Sequence, residues 1–169
     1  MNPSDLRERQ QPLKEKYRND PQSGRVTLAA SGKVLPARLG CEVAAFNGRV
    51  EAGLHPAAGG DDSQACSGDM LLQALVACSG VTLSAVATAM SIPILRAEVE
   101  AAGEMDFRGT LAIDKSVPVG LQNITLRYLI DSPAEDAQLD KLIELTERYC
   151  VVLKSLVESP QLSCTWSRA

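Results

Sequence analysis

The sequence predicts a single α+β domain, and three observations carry that prediction. Between Arg25 and Leu54 the chain breaks into short strand-like runs punctuated by turn residues, among them Asn47-Gly48. From Met70 to Met90 it holds no charged residue, over a length that suits one long helix. Ser132-Pro133-Ala134-Glu135 then places serine at an N-cap, proline at the first helical position and glutamate at the third, the pattern of a capping box opening a second helix.

Residues 1–24 are polar and carry Pro3, Pro12 and Pro21, so they read as a leading arm with room for one short helix, outside a domain covering 25–169. Strands are predicted at Arg25–Ala30, Val34–Leu39 and Glu42–Phe46, and after the Asn47-Gly48 turn at Arg49–Leu54. His55–Ser67 is rich in Gly, Ala, Ser and Asp and reads as a loop. The first long helix starts near Asp69, with Ser67 as its cap, and stops before Pro93. Leu95, Ala97 and Val99 alternate with Arg96, Glu98 and Glu100, a half-buried strand, and Phe107–Ile113 and Ile124–Ile130 read as two more. In the second helix Leu139, Leu142, Ile143, Cys150, Leu153 and Val157 recur at helical spacing until Pro160, and Leu162–Trp166 reads as a terminal strand.

Composition narrows the function. A net charge of −4 and a pI near 5.1 give no electrostatic footprint for nucleic acid or anionic lipid. Met70–Met90 has the length of a membrane span, but Gln73, Ser79, Gly80, Thr82, Ser84 and Thr88 interrupt it and no aromatic belt flanks it. A helix apolar nearly all round is then expected in a protein core, with no membrane partner. The opening Met1-Asn2-Pro3-Ser4-Asp5 lacks the basic and apolar regions of a secretory signal, so a cytoplasmic location with reduced thiols is expected. Five cysteines without CxxC spacing argue against a disulfide scaffold and against a zinc site. His55 is the single histidine, which removes most histidine-based catalysis and metal binding.

The cysteines are the remaining chemistry. Cys78 lies mid-helix with Ala74, Leu75, Val81 and Thr82 on its face, surroundings that raise a thiol's pKa, and the helix N-terminus is about nine residues away. It reads as an inert core residue unless a cation reaches it from outside its own helix. Cys150 lies on an apolar stripe but has Glu147 and Lys154 within one turn. Cys41 and Cys164 look structural, whereas Cys66, in the loop before the helix, is a candidate exposed thiol. His55 reads as a loop hydrogen-bonder, and Asp69 as a complement to the helix dipole.

Taken in order, Gly59-Gly60, the run Cys66-Ser67-Gly68-Asp69-Met70 through Ala77-Cys78, Asp106-Phe107-Arg108-Gly109, Pro118-Val119-Gly120 and Glu147-Arg148-Tyr149-Cys150 resemble the OsmC/Ohr family of thiol-dependent proteins. The resemblance spans about residues 25 to 166 and implies antiparallel sheets wrapped around two cysteine-bearing helices in an intertwined homodimer. It also implies a peroxidase for organic hydroperoxides that needs no cofactor. Cys78 attacks the peroxide, Cys150 closes a disulfide, and an external dithiol reduces it. In the peroxide-reducing members a glutamate ten residues before the first cysteine clamps an activating arginine, and a proline commonly follows the second cysteine. Here Gly68 and Val151 stand at those positions. The resemblance therefore assigns the arginine to Arg49 or Arg38 and its clamp to Asp69. Two other functions are compatible with the sequence: a stress-associated binding protein with a divergent site, and a thiol sensor or acyl-transfer protein using Cys66 or Cys150.

Overall fold

The computed structural model describes residues 2–168. Its order is helix α1 (Pro3–Asn19), strands β1 (Gly32–Leu35), β2 (Gly40–Ala45), β3 (Gly48–Gly53) and β4 (Ala65–Cys66), helix α2 (Ser67–Met90), strand β5 (Arg96–Glu104), helix α3 (Phe107–Thr110), strand β6 (Gln122–Asp131), and helices α4 (Asp136–Tyr149) and α5 (Val151–Val157). The predicted α+β class holds.

The strands form two separate sheets. One runs β1-β2-β3-β4, antiparallel except for the short β3–β4 pairing, and the other is the β5–β6 antiparallel pair. Gly48 turns the β2–β3 hairpin at φ +127, a conformation that side chains rarely adopt. A Cβ at Gly60 would meet the Leu54 carbonyl oxygen at 1.8 Å, so only glycine lets the following loop fold back onto the end of β3.

The core belongs to the second half. Leu83, Ala87, Ile92 and Leu142 are buried together, with Tyr128 and Ile130 of β6 packed against them. The inward residues of β6 are every second one, Ile124, Leu126, Tyr128 and Ile130, as the period of a strand requires. α2 lies across β5 and against α4 and α5, and meets the N-terminal sheet chiefly through β4.

Several expectations are corrected. Residues 25–30 form no strand, and neither do 162–166, because neither segment has a neighbouring strand to bond. Phe107–Ile113 opens as a helical turn, since the Asp106 carboxylate accepts the Arg108 N–H and caps it. α1 is a full 17-residue helix, started by a reciprocal Asn2–Asp5 capping box. The second helix begins at Asp136 behind a Glu135–Gln138 capping box, with Ser132 serving a turn before it. It also breaks at Cys150, whose backbone is extended (φ −71, ψ 107), so the predicted single helix is two, α4 and α5. α2 was expected to be buried all round, yet only Leu75, Ser79, Leu83 and Ala87 are buried, one stripe at every fourth residue. By length and composition α2 also passes as a membrane-crossing helix.

Candidate dithiol site

The break at Cys150 builds the site. Cys150 ends α4 and starts α5: its N–H donates to the Thr146 carbonyl at 2.9 Å, and its own carbonyl accepts the Lys154 N–H at 2.9 Å. Its side chain is fully buried against α2, where the Ser79 hydroxyl lies 3.3 Å from Sγ. Ser79 directly follows Cys78 on α2, the Cys150 thiol is among the groups that act on the Cys78 thiol, and both are free.

The surroundings of Cys78 differ from the expectation that they raise its pKa. Burial pushes the Cys78 thiol up, but the Val152 N–H, the Cys150 thiol, the Val151 N–H and the Thr82 hydroxyl together outweigh it. The net result is a pKa below the ordinary thiol value. The two N–H groups belong to the first turn of α5, where no intrahelical carbonyl claims them, and they exist as free donors only because the helix restarts after Cys150. Neutral donors from another element thus fill part of the role assigned to a cation.

One further side chain enters the site from β6. Tyr128 packs against the cluster around Leu83, and burial, with Cys150, Glu147 and Cys78 nearby, pushes its phenol above the ordinary value. Ser79 is engaged with Cys150, and the buried Tyr128 oxygen has no hydrogen-bond partner.

The other predicted residues lie elsewhere in the chain. Arg38 pairs with Glu51 at 3.1 Å and Arg49 with Glu42 at 2.8 Å, all on the N-terminal sheet. Asp69 sits exposed in the first turn of α2, and no ion pair among the described residues includes it. Lys154, one turn from Cys150, pairs with Glu158. Cys66 forms the N-cap position of α2 without making a side-chain cap bond. His55 is the expected loop hydrogen-bonder: Nδ1 accepts the Ala57 N–H at 3.0 Å and the ring stacks on Phe107. Among the described residues no group of three or more His, Cys, Asp or Glu side chains is placed to hold a metal.

Ser79, Thr82, Tyr128 and the Val151 and Val152 amides were missed in the sequence. A hydroxyl directly after Cys78 and another one turn later were the available signals. Nothing in Tyr149-Cys150-Val151 signals the helix break, since no glycine or proline marks it.

Comparison with known proteins agrees with this architecture. Residues 60–165 match the model of a family described as OsmC-like protein. An OsmC-like protein from Mycoplasma pneumoniae superimposes with a TM-score of 0.66 at 16% identity, covering 79% of this chain and 89% of that one. An organic hydroperoxide resistance protein from Elizabethkingia anophelis gives 0.63 at 17% identity over 80% and 92%. The corresponding protein of Bacillus subtilis gives 0.55 at 16% identity over 78% and 93%. No curated protein sequence matches the chain.

Proposed function

The chain belongs to the OsmC family, and from that premise we propose that it is a thiol peroxidase reducing organic hydroperoxides through Cys78 and Cys150. The observation that carries the reading is the adjacency of two free thiols, one of them surrounded by donors that favour its thiolate. Structural relatives named as organic hydroperoxide resistance proteins support the choice of oxidant.

The chemistry follows from the thiolate being the nucleophile. The Cys78 thiolate attacks the terminal peroxide oxygen, an S–O bond forms as O–O breaks, and the leaving alkoxide takes a proton to become the alcohol. Cys78 is now a sulfenic acid. The Cys150 sulfur attacks it, S–S forms as S–O breaks, and the thiol proton leaves with hydroxide as water. An external dithiol then returns both sulfurs to thiols by exchange.

The proposed working unit is a homodimer. Leu71, Ala74, Cys78, Val81 and Ala85 form a stripe at helical spacing beside the buried one, and Leu71 (41% exposed) and Val81 (72% exposed) leave it uncovered in a single chain. A second copy laid on this stripe buries it and walls the Cys78 thiol with apolar groups suited to an alkyl hydroperoxide. In that dimer the N-terminal sheet brings Arg38 or Arg49 to the dithiol, with Asp69 as its carboxylate. Both arginines are exposed and pair with half-buried glutamates, and pairs at the surface exchange at a cost of roughly 0–1 kcal/mol.

The competing reading, a binding protein without redox turnover, is favoured by Gly68, where a side chain has room beyond Cys66 and Met105 but none is present. Steady-state consumption of cumene hydroperoxide with a dithiol decides between them. The peroxidase reading expects turnover that is lost in Cys78→Ser and reduced to one stoichiometric oxidation in Cys150→Ser. No turnover in the parent protein, or unchanged turnover in Cys78→Ser, rejects it.

A further inference from the structure

Of all buried side-chain nitrogens and oxygens among the described residues, the Tyr128 hydroxyl alone lacks a hydrogen-bond partner. Leaving a buried hydroxyl unsatisfied is unfavourable, and a phenylalanine would fill the same space without that cost. The hydroxyl is not in an arbitrary place. Tyr128 packs against the cluster that holds Leu83, one turn along the buried stripe of α2 from Ser79, and Cys150, Glu147 and Cys78 are the titratable groups near it.

Ser79 explains what the phenol waits for. Its hydroxyl has one proton, and toward a Cys150 thiol at 3.3 Å either group can donate. Toward a Cys150 thiolate only one arrangement works: Ser79 must donate, which frees its oxygen lone pairs to accept. Thr146, the other buried hydroxyl beside Cys150, already donates to the Leu142 carbonyl at 2.8 Å. Tyr128 is the donor left over. Burial and the negative charges at Cys150, Glu147 and Cys78 hold the phenol protonated, against the pull of Ser79, so it keeps the proton it donates.

Resting on the peroxidase reading above, we infer that Tyr128 is a positioning residue for disulfide closure, donating to Ser79 so that Ser79 donates to the Cys150 thiolate as it attacks the Cys78 sulfenic acid. The chain Tyr128→Ser79→Cys150 orders two hydroxyls in one direction, and each bond polarises the next. The Cys150 side chain is fully buried, so its sulfur meets such donors rather than water during the attack. The first oxidation, at Cys78, draws on the amides of α5 instead, so the two steps separate.

The test mixes fully reduced protein with one equivalent of cumene hydroperoxide and follows both steps by quenching. Loss of peroxide reports oxidation of Cys78. Mass spectrometry with a sulfenic-acid trap then distinguishes open sulfenic acid from closed disulfide. Tyr128→Phe is expected to slow closure roughly tenfold, the effect of about 1.4 kcal/mol, while peroxide loss keeps the parent rate. Trapped sulfenic acid rises accordingly, and Ser79→Ala slows closure at least as much. Because the substitution removes an unsatisfied buried hydroxyl, the melting temperature of Tyr128→Phe should equal or exceed that of the parent, whereas a packing role predicts a fall. Closure at the parent rate in Tyr128→Phe overturns the inference and leaves the peroxidase reading standing. A parent protein that consumes no peroxide overturns both.

Discussion

The two sheets of this chain lean on different things. The β5–β6 pair rests on α2 and α4, and its inward residues meet the buried cluster around Leu83, Ala87 and Leu142. The β1–β4 sheet has no such backing. Ala52 is its one buried hydrophobic side chain, while Val34 is 70% exposed and Phe46 fully exposed. One half carries its own core, and the other half, together with the uncovered stripe of α2, is left without one in the single chain. The dithiol lies between the two sides of α2: Cys150 on the covered side, Cys78 at the edge of the uncovered one.

Placing a charge in the uncovered stripe is the severest way to break this contrast. Val81→Glu is expected to abolish the dimer, giving monomer or aggregate by sedimentation, since an unpaired charge in an apolar interface costs several kcal/mol. An unchanged dimer would remove the stripe from the interface. Next in size, Leu142→Ala should destabilise the protein by about 2–5 kcal/mol in denaturant melts, as for a fully buried leucine. Leu142 is expected to cost far more than the exposed Phe46, whose replacement by Ala should stay within about 1 kcal/mol. Equal effects would mean that the N-terminal sheet has a core of its own.

The contrast sharpens at the thiol. Cys78 favours its thiolate in the folded state, so its alkylation should stay fast below the ordinary thiol pKa of about 8.5 and fall off only as pH drops through the lowered value. The linked stability has the same sign: it is present above the ordinary pKa and lost as pH falls through the folded one. Thr82→Val should move the alkylation profile upward slightly. Arg38→Gln or Arg49→Gln should move it further if either arginine reaches the thiol in the dimer, and not at all if both stay with Glu51 and Glu42. In global stability each arginine substitution should cost less than about 1 kcal/mol.

What the sequence disclosed divides along the same line. α2, the β2–β3 hairpin, β5 and β6 were legible because periodicity and turn residues are local signals. Residues 25–30 and 162–166 carry strand patterns, but a strand exists only with a neighbour to pair, and a single chain supplies none. Trp166, the only tryptophan, is 84% exposed in that tail. In the dimer its fluorescence should be blue-shifted and shielded from acrylamide, the smallest effect expected here, and free quenching would leave the tail unpaired. At the site, the two cysteines were legible as candidates and their environment was not. The α5 amides depend on a break at Cys150 that the unbroken apolar spacing through Leu153 and Val157 hides. Tyr128 looked like one more inward residue of a strand, and only the fold brings its hydroxyl to Ser79.

If Cys78 and Cys150 are the two ends of one redox cycle, a single oxidation must join them. Reduced protein is treated with one equivalent of cumene hydroperoxide, alkylated, and mapped by peptide mass spectrometry under non-reducing conditions. Loss of two hydrogens per chain and one cross-linked peptide joining Cys78 to Cys150 are expected, with Cys41, Cys66 and Cys164 alkylated. Recovery of Cys78 and Cys150 both alkylated, or of a disulfide joining other cysteines, would contradict it.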